Sequence, residues 1–254
     1  MSRNTIKFII AAIILFMVIK TCSSSSSETS GWEKSPVDNI VQEYSDKSDF
    51  SIILADMDAE GTGSSTIYKH KYKVLIPEQD TVLVKETPWK TVSDVFFDQH
   101  INDLGMEIVY KKNGELHKET APAGYSNFIG NDKYGRWQQR DGGSFWQFYG
   151  QYAFMSSLFN LAAYPVRRPY YDNYRGGFYG SGRSYYGGNG GPSYGTQTYG
   201  KTGRNTTWGS KPSTFKSDVI SRVSRSATTT KRARSASRSS SRSSYRSRSG
   251  GSGK

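Results

Sequence analysis

The sequence predicts an α+β fold: a small antiparallel sheet with two helices, followed by an aromatic apolar helical segment and a long disordered tail. Three observations carry that reading. Thr66 to Ile76 alternates, with Tyr68, His70, Tyr72 and Val74 on one side and Lys69, Lys71 and Lys73 on the other, the period of a strand in a sheet with one wet face. Asn113-Gly114 stands between two short β-prone runs, a strong local hairpin signal. Charge divides the chain: residues 1–165 hold 16 basic and 20 acidic side chains, whereas residues 166–254 hold 18 basic and 2 acidic, so the C-terminal third creates the net charge of +12. With 35% hydrophobic residues, only part of the chain is expected to be globular.

The first element is a targeting segment over 1–22. Arg3 and Lys7 precede an apolar run from Phe8 to Ile19, 12 residues long, which ends at Lys20, Thr21 and Cys22. A bilayer span needs roughly 20 apolar residues, whereas a secretory h-region needs about 7 to 15. The arrangement resembles a bacterial lipoprotein signal, in which the thiol of Cys22 is lipidated and becomes the mature N-terminus. The alternative is an uncleaved signal anchor, with Lys7 and Lys20 snorkelling to the two interfaces. Either reading places the rest of the chain in the bacterial cell envelope, membrane-anchored and facing outside the cytoplasm. Residues 23–31 then form a Ser-rich linker. One cysteine allows no intramolecular disulfide.

Residues 32–120 are expected to form the α+β domain. Ser35-Pro36 marks a helix start, with Val37, Ile40, Val41 and Tyr44 on one face. Strands follow at Phe50–Leu54, Thr66–Ile76 and Thr81–Lys85. Val92, Val95, Phe96, Gln99 and Leu104 predict a second helix ended by Gly105, and Met106–Lys111 with Glu115–Lys118 makes the hairpin.

Chemistry-bearing patterns in this domain are sparse. Asp56, Asp58, Glu60 and Gly61 mimic the first half of a calcium loop, but Ile67 stands where the bidentate Glu belongs, so the run reads as an acidic turn. His70, His100 and His117 have no zinc-site spacing; they read as a structural strand residue, a helix-surface residue and a hairpin residue. Gly61-Thr62-Gly63 lacks a P-loop lysine, and the Ser213–Lys216 spacing falls in low-complexity sequence. No catalytic residue, metal or cofactor is expected. A hydrolase with unidentified carboxylates stays open as an alternative class.

From 121 to 165 the chain becomes aromatic, with no charge between Asp141 and Arg167. Phe145, Phe148, Tyr152, Met155 and Phe159 follow helical spacing and predict a helix over 144–164. That helix packs on the domain, lies in the membrane interface or spans it. For the interface, Phe145, Trp146, Phe148, Tyr149, Tyr152 and Phe159 are the contact candidates.

The tail has two compositions. Residues 166–210 hold 12 Gly and 8 Tyr, and within 211–254 the stretch 221–249 holds 12 Ser and 8 Arg. Both are expected to be disordered, because like charges repel along a helix and neither part offers a core. Arg222, Arg225, Lys231, Arg232, Arg234, Arg238, Arg242, Arg246 and Arg248 are the polyanion-binding candidates. Their expected partners are anionic lipids or cell-wall and surface polymers, with nucleic acid as the alternative and a solubilising spacer as the bland reading.

Gly143-Ser144-Phe145-Trp146 ahead of an uncharged stretch, Tyr199-Gly200-Lys201-Thr202-Gly203, then Lys211-Pro212 and a Ser/Thr/Arg/Gly-rich end resemble the C-terminal layout of the YgiB-like group of bacterial lipoproteins. The likeness covers about the last 110 residues and consists of short, low-complexity motifs. It implies an envelope location and this architecture, and brings no catalytic residue.

Overall fold

The computed structural model describes residues 35–188, 193–199 and 206–243, with the side chains of 231 and 233–243 left aside. The predicted signal segment with Cys22 and the Ser-rich linker lie outside the described residues, as do Arg246 and Arg248.

Helix α1 (Pro36–Glu43) begins where expected: Ser35 Oγ accepts from Asp38 N at 3.3 Å, and Val37 and Ile40 are buried. Strands β1 (Phe50–Glu60) and β2 (Ile67–Pro77) form a long antiparallel pair, with Ile52 opposite Val74 and a bulge between Leu54 and Asp56. Two short strands, β3 (Val82–Glu86) and β4 (Lys90–Val92), pair in turn along the other edge of β2. Helix α2 (Asp94–Gln99) is capped by Ser93 and stops at His100, short of the expected Gly105. Strand β5 (Met106–Lys112) lies against β1, and β6 (Glu115–His117) and β7 (Ala121–Pro122) both pair with β5. Asn113 and Gly114 turn the hairpin at positive φ, 51° and 84°, as a two-residue turn of this type requires. Among the described residues the antiparallel sheet has seven strands and runs β3-β2-β1-β5-β6 along its main path.

The segment expected as a helix over 144–164 is instead a hairpin and a short helix. Strands β8 (Gly135–Arg140) and β9 (Gly143–Phe148) form a separate two-stranded ribbon, turned by Asp141-Gly142 at φ 49° and 72°. A 3₁₀ turn at Gly150–Tyr152 then leads to α3 (Phe154–Leu158). Cross-strand pairing of Trp137 with Trp146 outweighs the helical spacing of the aromatic residues.

The expected disorder of 166–210 and 211–254 does not hold for the described residues of the tail. Helix α4 (Arg168–Gly177) is followed by α5 (Thr196–Tyr199), α6 (Thr207–Ser210) and the long α7 (Ser213–Ser243). The reason is burial against the sheet. One core joins Phe50, Ile52, Leu54, Tyr72 and Val74 to α1, α2, Trp208, Val219 and Val223. The second core covers the opposite sheet face, where Ile53, Leu75 and Val82 meet Tyr125, Phe128, Trp146, Tyr152, Tyr174 and Tyr185. Each fully buried ring contributes about 2–3 kcal/mol, which offsets the ordering of the glycine-rich chain between them. The second face stays wet around Lys69, Lys71 and Lys73, which pair with Glu60 and Glu86.

Candidate polyanion-binding site

The site begins at an open strand edge. β5 pairs with β1 through Phe50–Ile53, so the second half of β1, which carries Asp56, Asp58 and Glu60, has no strand partner on that side among the described residues. Residues 206–211 meet it there. Asp56 accepts from Thr207 N at 2.8 Å and from Trp208 N at 3.3 Å, placing its charge at the N-terminus of α6. Asp58 pairs with Lys211 at 2.8 Å and Glu60 with Lys69 at 2.6 Å. The acidic run that mimics half a calcium loop is thus a clamp for the chain's own C-terminal segment. Trp208 drops into the core, its ring 5.5 Å from Phe97 in an edge-on contact.

Helix α7 continues from this clamp. Val219, Val223 and Ala227, four residues apart, are buried and put one stripe of the helix against the domain, where α7 contacts α2. Polar bonds flank the stripe: Ser224 Oγ donates to Asp98 at 2.7 Å, and Ser226 Oγ to Asp94. A docked N-terminal half supplies the helix nucleus, so the Arg/Ser/Ala-rich continuation propagates through Ser243 despite its like charges.

This docking sorts the candidate cations. Arg222 turns inward, with Nη1 donating to Gly63 O at 2.8 Å and to Thr66 Oγ1 at 2.5 Å, and Nη2 pairing with Asp218 at 2.9 Å. It fastens the helix to the β1–β2 loop. Arg225 and Arg232 are exposed on α7. Lys231, Arg234, Arg238 and Arg242 occupy helical positions beyond the docked stripe, and the last three, four apart, follow one line along the helix. After Asp218 the chain carries ten basic residues and no acidic one.

The membrane-interface candidates are mostly interior. Trp146 (5%), Phe148 (6%), Tyr152 (1%) and Phe159 (8%) are buried in the second core, Phe145 is half-buried beneath Arg167, and Tyr149 alone of the six is exposed. The ribbon and α3 fold these rings onto the sheet, where a lipid cannot reach them. No helix among the described residues is long and apolar enough to cross a membrane.

The three histidines are built into the frame. His70 is buried among Tyr72, Phe96 and Phe97; its Nδ1 lies 3.1 Å from Tyr72 OH, and burial, with His100 nearby, pushes its pKa down to about 3. His100, expected on a helix surface, is buried, with Nδ1 2.7 Å from Asp103 Oδ2. Asp103 also accepts from Thr120 Oγ1 at 3.1 Å and from Tyr186 OH at 2.5 Å, so this His-Asp pair holds the glycine-rich segment in place. His117 stacks on Tyr110 at 4.6 Å, beside Glu119, which accepts from Tyr110 OH at 2.7 Å and Gly180 N at 2.8 Å.

Glu107 is the carboxyl with the most unusual environment. It is completely buried, and burial pushes its pKa up to about 7 against the opposing pull of the polar groups of Ser126 and Ser51, the Gly124 amide and the Lys112 charge. With no exposed surface, it sits in the interior. Among the described residues no group of three or more His, Cys, Asp or Glu stands ready to hold a metal ion. No protein-family model, curated protein or solved structure matches this chain.

Proposed function

We propose that this chain is a non-enzymatic, membrane-anchored protein of the bacterial cell envelope whose docked C-terminal helix offers an arginine-rich extension to anionic polymers or lipid headgroups. The supporting observation is helix α7: its first half is fastened by Val219, Val223, Ala227 and Arg222, while everything after Asp218 is basic or uncharged. A cationic helix on a rigid base presents its charges together, so less chain ordering opposes binding than for a free tail. The anchor at Phe8–Ile19 and Cys22 keeps this extension close to a surface, and export places envelope polymers and headgroups ahead of nucleic acid as partners.

The test replaces Arg234, Arg238, Arg242 and Arg246 together by Gln and measures binding to anionic vesicles and to wall polymer. Near an anionic surface each charge is worth about 1 kcal/mol, so affinity falls by about two to three orders of magnitude at low salt. Removal of residues 231–254 leaves the docked stripe intact. If that truncation binds vesicles, wall polymer and nucleic acid as the full chain does, the extension is a spacer and the proposal fails.

A further inference from the structure

The β8–β9 ribbon has a charged outer face on a different element from helix α7. Strand alternation places Arg136, Gln138 and Arg140 on one side, and across from them stand Gln147, Phe145 and Gly143. The other side carries Trp137, Trp146 and Phe148 toward the second core. Val166 and Arg167 run along the free edge of β9: Trp146 N donates to Val166 O at 3.0 Å, and Phe145 bridges Arg167 in antiparallel fashion. That pairing sets the Arg167 guanidinium 5.1 Å from the centre of the Phe145 ring. The next residue, Arg168, lies 5.7 Å from the Trp137 ring. With its amide oxygen turned toward Arg136, Gln138 accepts from Nε and Nη2 of that guanidinium.

The patch is unbalanced in charge. Between Lys133 and Tyr171 the chain has five basic residues and a single acidic one, Asp141. Asp141 lies 3.6 Å from Arg140, and Asp172 lies 3.7 Å from Arg168. Arg136 and Arg167 have no carboxylate partner among the described residues, and all four guanidinium groups are exposed.

We propose that this ribbon face is a binding site for an acidic polysaccharide. A guanidinium laid on a ring keeps its in-plane N–H edge outward, in the fork geometry that matches a carboxylate or phosphate. Arg167 covers Phe145 on this face, and Trp137, beside Arg168, belongs to the opposite side of the ribbon, so neither ring is free here as a stacking platform for nucleobases. The exposed ring that follows β9 on this side, Tyr149, ends in a polar hydroxyl and offers little apolar surface to a bilayer. Arg136 and Arg140 stand four strand positions apart, about 13 Å, which suits a polymer whose charges recur along its chain. The amides of Gln138 and Gln147 beside them suit sugar hydroxyls. The site is independent of the arginine-rich half of α7.

The experiment uses the full chain with Arg234, Arg238, Arg242 and Arg246 already changed to Gln, so that tail and ribbon are read separately. Polygalacturonate is the probe, with uncharged dextran, single-stranded DNA and anionic vesicles alongside. Adding Arg136→Gln, Arg140→Gln and Arg167→Gln lowers polygalacturonate affinity about thirtyfold and flattens its salt dependence. The corresponding Lys variants recover charge without the fork and regain only part of the loss. Near-ultraviolet circular dichroism stays unchanged, because the replaced side chains are exposed. Polygalacturonate affinity within twofold of the parent overturns the proposal, as does single-stranded DNA or vesicle binding that is equally tight and equally sensitive to the three changes.

Discussion

The carboxylate of Asp56 receives the backbone amides of Thr207 and Trp208, which lie 151 and 152 positions further along the chain. An acidic residue on an unpaired strand edge thereby fixes the point where the tail rejoins the body. Hydrogen bonds to a charged acceptor contribute about 1.5–3 kcal/mol, and their loss leaves two amides unsatisfied at a helix start. Asp56→Ala should lower unfolding stability by about 2–3 kcal/mol in a denaturant titration and speed proteolysis within 206–230. Unchanged proteolysis would mean that the clamp does not hold the tail.

The stripe on α7 makes the next prediction. Val219 and Val223 are fully buried, so truncating both to Ala removes packing on α2 and leaves a void. The double change should cost about 2–4 kcal/mol and reduce far-ultraviolet helix signal, since the arginine-rich half depends on the docked half for its nucleus. A full helix signal in a destabilised protein would show that residues 228–243 are helical on their own.

How much of this was legible depends on the range of the interaction. Asn113-Gly114 and the Ser35-Pro36 cap act locally, and both elements lie where the sequence places them. Asp141-Gly142 is the same kind of hairpin signal as Asn113-Gly114, and with Trp137 opposite Trp146 it identifies the ribbon. The helical spacing of Phe145, Phe148, Tyr152, Met155 and Phe159 predicts otherwise because five aromatic or apolar residues in a dense run satisfy more than one period. The tail fails for a different reason. Its composition excludes an autonomous core, yet Tyr174, Tyr185 and Trp208 need only a waiting apolar surface, and the uncovered sheet face that supplies it is a long-range property. Gly105 shows the same closeness: at φ 79° it has no side chain, and a Cβ there would lie 2.1 Å from the Tyr199 ring. The stripe Val219, Val223 and Ala227 is readable in the sequence, although the Ser and Arg around it dominate the composition.

Two buried groups give the pH dependence opposite signs. Glu107 is raised to about 7 from an ordinary value near 4.5, so the native state keeps its proton longer than the unfolded chain does. Its contribution is complete below about pH 4.5 and is lost as pH climbs to about 7, a change of order 3 kcal/mol. Glu107→Gln removes that loss and should make the protein more stable at pH 8, read as a higher melting temperature than the parent. A melting temperature that falls at pH 8 would show that the ionised carboxylate is held by partners.

His70 runs the other way. Its pKa is lowered to about 3 from 6.5, so its contribution is complete above pH 6.5 and is lost as pH falls toward 3. Between about pH 4.5 and 6.5 the two slopes oppose each other, and the parent protein should be nearly flat there. His70→Phe keeps a ring among Phe96 and Phe97 but leaves only the Glu107 slope, so stability should fall with rising pH across that window. In Glu107→Gln it should instead fall as pH drops. Parallel profiles for both variants would show that neither group controls this range.

Helix and charge can be separated in the extension. Positions 234, 238 and 242 are four apart on α7, so the three arginines repel along the helix while jointly attracting a polyanion. Arg238→Glu changes the sign in the middle and sets an acidic residue four positions from a basic one on each side. Each such pair adds about 0.3–0.5 kcal/mol to the helix, and each repulsion removed adds a similar amount. Helix signal from the full chain should therefore rise at low salt, and the rise should vanish at high salt, where both attraction and repulsion are screened. Binding should move in the opposite direction, because two units of positive charge are lost: affinity for anionic vesicles falls about tenfold or more. A more helical variant that also binds more tightly would mean that the partner reads the shape of the helix, and the charge-based reading of the tail would not survive.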